Sequence, residues 1–99
     1  MGVEKFIDEM DNQATSLWQG HGLDIERLNE QIIDFLSVLE KSVVILEQRG
    51  IAFPMEYVEE AMVDLKKGLG DRDDYKVADC LYYQWKEIAI VLKEVLDED

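Results

Sequence analysis

The chain has 99 residues, a mass of 11.5 kDa and a single cysteine, Cys80. With 23 acidic against 10 basic residues its formal charge is −13, which argues against nucleic acid and anionic membrane surfaces as partners. A hydrophobic content of 47% fits one globular domain with a modest core, and no stretch approaches the roughly 20 apolar residues of a membrane span. One cysteine excludes an internal disulfide and a thiolate zinc site, and fits a reducing compartment. The N-terminal residues carry no apolar signal core, so the expectation is a cytoplasmic protein.

Helical periodicity runs through the whole chain. Val3, Phe6, Ile7, Met10, Ala14 and Leu17 recur at spacings of three and four, and predict a helix over 3–19. Gly20 and Gly22 end it. Asp24 then serves as N-cap to a helix over 24–49, with Ile25, Leu28, Ile32, Phe35, Leu36, Leu39, Val43 and Leu46 on its apolar stripe. Arg49-Gly50 supplies a cation and a terminator. Pro54, the only proline, suits the first turn of a third helix over 54–69, with Met55, Val58, Met62, Leu65 and Leu69 inward. Gly68 and Gly70 are expected to stop it. Asp71 to Asp74 caps a fourth helix over 71–97, whose stripe runs through Tyr75, Ala78, Leu81, Tyr82, Trp85, Ile88, Ala89, Leu92, Val95 and Leu96.

No strand alternation or hairpin turn appears. Short connections force consecutive helices to lie antiparallel. The predicted fold is therefore all-α: one up-down-up-down four-helix bundle over 1–99, built as two tandem hairpins of short-long-short-long helices. The ends of the long second and fourth helices are expected to project beyond their neighbours.

Chemistry-bearing patterns are sparse. A di-metal bundle needs inward carboxylates and Glu-x-x-His pairs; the one histidine, His21, sits in a glycine loop, and most carboxylates lie opposite the apolar stripes. Asp71-x-Asp73-Asp74 opens like a calcium loop but has Lys76 and Tyr82 where that loop needs glycine and glutamate. Gly68-Leu69-Gly70 lacks the lysine of a phosphate-binding loop. Cys80 has no base beside it in sequence, and is expected on a shoulder of the fourth helix. No catalytic residue, metal or cofactor is predicted.

Surplus apolar residues point elsewhere. At 100° per residue Tyr83 and Ile90 fall together on the polar side of the fourth helix, while Ile33 and Val44 leave the stripe of the second. Such residues form either the wide face a bundle helix needs or an association surface. Trp18 at a helix end, and Trp85, are candidate ligand anchors if they do not simply cover the core. The expected function is a non-catalytic adaptor or chaperone-like module binding a basic or helical protein partner. A homodimer is one form of it, and an aromatic-lined small-molecule pocket is the alternative.

The segment Asp73 to Gln84, with Ala78, Asp79, Leu81 and Tyr83 in the pattern Ala-Asp-x-Leu-x-Tyr, resembles a motif of small helical bacterial proteins, mainly from Firmicutes. Gln84 stands where those proteins usually carry an acid. The resemblance implies a helical fold and no particular activity, and within it Asp79 and Tyr83 are expected to fix the turn before the last helix or a neighbouring helix.

Overall fold

A computed structural model describes residues 3–97. All regular structure among them is helical. Helix α1 spans Val3–Trp18, α2 Ile25–Gln48 and α3 Met55–Gly70. The fourth, α4, starts as Asp74–Asp79, passes through a π-helical turn at Cys80–Trp85 and continues as Lys86–Asp97. The result is the expected four-helix bundle, elongated at 43 × 22 × 20 Å.

Side-chain pairings give the directions. Phe6 faces Phe35 and Gln13 bonds Gln31, so α2 runs against α1. Glu4 pairs with Lys93 and Asp11 with Lys86, so α4 also runs against α1. Phe53, just before α3, and Tyr57 in its first turn line one cavity with Ile88 and Val91, whereas Gly68 near the end of α3 lies against Val77. Each helix is thus antiparallel to the next.

The core is organised around Trp85, which is wholly buried. Phe6 and Phe35 stack at 4.0 Å with ring planes 8° apart, and Trp85 presents an edge to both at 6.5 and 6.4 Å. Three helices are joined through these rings. Edge-to-face and offset contacts of this kind add to the burial of large apolar area. α3 contributes smaller groups, Val58, Ala61, Leu65 and Gly68, which let it approach α4 closely.

Helix ends explain where the chain turns. Asp24 and Asp73 are N-caps as their positions imply, accepting from the backbone N–H of Arg27 at 3.1 Å and of Lys76 at 3.2 Å. α1 and α2 close with Gly20 (φ 82°) and Gly50 (φ 76°) in the left-handed region. The bonds His21 N–H to Ser16 O and Ile51 N–H to Leu46 O complete the six-residue Schellman closure.

α3 ends differently from expectation. Neither Gly68 nor Gly70 stops it. Arg72 takes the left-handed position at φ 53°, with Arg72 N–H bonded to Leu69 O at 3.2 Å and Asp73 N–H to Gly68 O at 3.1 Å. The helix must continue past Gly70 so that Asp73 can cap α4 directly. A side chain in this region is strained by its Cβ against the following carbonyl, at about 1–2 kcal/mol, partly offset by the greater unfolded-state freedom of glycine. Arg72→Gly is therefore expected to raise stability by about 0.5–1 kcal/mol, read as a higher denaturant midpoint at unchanged m-value.

Candidate functional site

The π turn shapes the face of α4 that holds Cys80. A π turn takes in one residue more than an α turn, so Cys80 shares a side with Trp85 instead of sitting on a shoulder. The thiol is buried, donates to Gln84 Oε1 at 2.8 Å and approaches Ala61 O at 3.5 Å. Gln84 Nε2 in turn donates to Asp64 Oδ2 at 2.7 Å, so a polar chain crosses from α4 to α3.

Burial pushes the Cys80 thiol up to about 12; the Asp64 carboxylate adds to the rise, and the Trp85 indole N–H opposes it. That N–H acts on the thiol only at a distance, because Trp85 Nε1 itself has no hydrogen-bond partner. A thiol held protonated is a poor nucleophile. Its linkage to folding has a definite sign. The raised pKa means that stability is complete below the unfolded thiol's pKa of about 8.5 and falls as pH rises toward 12. Alkaline unfolding is therefore expected to be less steep over that interval in Cys80→Ala than in the natural chain. Alkylation of native Cys80 at pH 8 is expected to proceed only as fast as the protein opens.

Above this thiol lies the cleft between α3 and α4, about 420 Å³ in volume. Lys67, Lys76, Asp79 and Tyr83 surround its mouth. Asp79 and Tyr83 of the motif are both exposed at this rim. Two cations and two anions, Asp64 and Asp79, balance there, and the cleft presents no net charge to a ligand. Among the described residues no group of three or more His, Cys, Asp and Glu is placed to hold a metal ion.

The structure brings together residues that the sequence treats separately. Trp18 is half-buried and packs against Tyr82 at 5.2 Å and Tyr83 at 6.5 Å, while Tyr82 and Tyr83 meet edge to face at 5.0 Å. Lys86 lies 4.1 Å over the Tyr82 ring and 3.1 Å from Asp11. Burial works against its charge, but the Asp11 hydrogen bond and charge more than offset that and raise its pKa. Tyr83 is 66% exposed at the edge of this aromatic group.

Two of the expected site residues are placed differently. Trp85 is core, enclosed by Phe6 and Phe35, and is no surface anchor. Ile90 is half-buried and does not continue the exposed line of Tyr83. The reason is the extra residue of the π turn, which rotates everything after it by roughly 100° relative to an unbroken helix.

Ile33 and Val44 are exposed on α2, at 64% and 51%. They lie about three turns apart on one flank, with Leu36 and Val43 half-buried beside them. Ile25 is also exposed on α2, and Met55 at the start of α3. Ile33 and Val44 are signalled in the sequence only by leaving the inward stripe. Ile25, Met55 and Tyr75, which the periodicity places on the stripes of α2, α3 and α4, are instead exposed, because each stands in the first turn of its helix, where no facing helix covers it.

No family model, no curated protein and no solved structure matches this chain. No described helix is long and apolar enough to cross a membrane.

Proposed function

We propose that this chain is a non-catalytic protein–protein interaction module, an adaptor or chaperone-like bundle that offers helix faces to another protein. The observation that carries the reading is the exposure of Ile33 and Val44 on one flank of α2. Single apolar residues at a surface are ordinary, but repeated large ones along one helix mark an association surface. The acidic surface adds selection for basic partners and speeds encounter at low salt. The buried, protonated Cys80 and the charge-balanced cleft beside it give no competing catalytic arrangement.

The test is affinity capture from the native cell with three baits: the natural chain, Ile33→Asp with Val44→Asp, and Tyr83→Ala. A specific protein retained by the natural chain and lost from one of the two surface variants is the expected result. Identical capture by all three baits overturns the reading.

A further inference from the structure

α1 packs on α2 and along α4, and α3 packs on the first half of α4. Between α2 and the start of α3 an apolar gap is left. The gap is about 380 Å³, floored by Leu36, Leu39, Val43, Val44 and Met55 and rimmed by Glu40 and Glu47.

We propose that this gap is a docking groove for a basic amphipathic helix of a partner protein. This rests on the interaction reading above and names its surface and the chemistry of its occupant. The floor is apolar and runs roughly 16 Å along α2 from Leu36 to Glu47 at 1.5 Å per residue. That accommodates about three turns of a helix whose apolar residues recur at three and four. Glu40 and Glu47 form no ion pair among the described residues, so both are free to meet lysine or arginine. Glu59, one turn beyond Met55 on α3, puts a third acid on the same side. A second copy of this chain is the poorer occupant. It would bring two bodies of charge −13 together, and a twofold axis through the groove would set Glu40 and Glu47 near their own copies. Like charges pressed together at an interface are strongly unfavourable.

The experiment uses the full chain and a defined probe. A fluorescent helical peptide with leucine at i, i+3, i+4 and i+7 and lysine elsewhere is titrated with the natural chain, and a second peptide carries glutamate in place of lysine. The lysine peptide is expected to bind at least tenfold more tightly than the glutamate peptide. Val44→Asp, and separately Glu40→Lys with Glu47→Lys, are each expected to weaken the lysine peptide at least tenfold, while Tyr83→Ala changes it less than twofold. Met55→Asp is the second floor variant, and far-UV circular dichroism checks the helicity of each. Unchanged binding by both floor variants overturns the groove, since the peptide then sits elsewhere on the acidic surface. A loss in Tyr83→Ala instead also overturns the groove while leaving the interaction reading intact. Sedimentation showing a natural-chain dimer that Val44→Asp dissociates gives the groove to a second copy and overturns the basic-helix assignment. No binding of either peptide overturns the groove alone; the interaction reading falls only if the three-bait capture fails as well.

Discussion

Trp85→Ala is expected to remove about 3–5 kcal/mol of stability, the range for deleting a large buried aromatic side chain. Domains of this size hold only about 5–15 kcal/mol in total, so the variant is expected to sit at or near unfolding at room temperature. The cost is high because three helices share this ring: Phe6 of α1 and Phe35 of α2 both receive its edge. Trp85→Phe separates two contributions. It keeps an aromatic against both partners, and it removes a buried N–H that has no acceptor. An unpaired buried donor costs about 1–3 kcal/mol, and the smaller ring leaves a void of comparable penalty. The two effects oppose each other. The expected outcome is a Tm within a few degrees of the natural chain for Trp85→Phe, and a fall well beyond about 10 °C for Trp85→Ala, given roughly 4–8 °C per kcal/mol in a small domain. Equal destabilisation by both would mean that the indole N–H is stabilised in place, with the Cys80 sulfur as the only polar group it is known to influence.

This result bears on what the sequence reveals and what it conceals. The inward stripes of α1, α2 and α3 are legible because each repeats at helical period, and Phe6, Met10, Phe35, Leu39, Val58 and Leu65 are all buried as that period requires. Asp24 and Asp73 are legible because an acid before an apolar stripe has one local use. The π turn is not. Nothing in Cys80 to Trp85 distinguishes it from an α turn, so the rotation that buries Cys80 and withdraws Ile90 has no local signature. Arg72 in a left-handed turn is likewise dictated from outside, by the need for Asp73 to cap α4 directly after α3 ends.

The candidate interaction surface was only half legible. That Ile33 and Val44 leave the stripe follows from spacing alone. That Val44 borders a gap depends on where the start of α3 sits, which nothing on α2 reveals. The aromatic group of Trp18, Tyr82 and Tyr83 is a tertiary feature too, since it joins the end of α1 to the π turn of α4.

Gly68 and Gly70 are expected to respond to substitution with opposite sign, although the sequence assigns both to one helix stop. At Gly70 an added Cβ meets nothing within 4 Å, and the backbone is not left-handed. Gly70→Ala is therefore expected to stabilise by up to about 1 kcal/mol, the difference in helix propensity. At Gly68 the same Cβ would lie 3.1 Å from Val77 Cγ2 and 3.4 Å from the Val77 backbone nitrogen. Val77 is itself buried, 1% exposed. Gly68→Ala loses its propensity gain to that crowding. Gly68→Leu is expected to force α3 off α4 at a cost of about 3 kcal/mol or more, at the upper end of overpacking effects. The movement has a second readout. Cys80 approaches Ala61 O on α3, and Gln84 reaches Asp64 there, so lifting α3 uncovers the thiol. Alkylation of Cys80 at pH 8 is expected to accelerate in Gly68→Leu out of proportion to its loss of global stability, while Gly70→Ala slows it. Parallel changes in both quantities would instead mean that α3 never separates from α4 without the whole bundle unfolding.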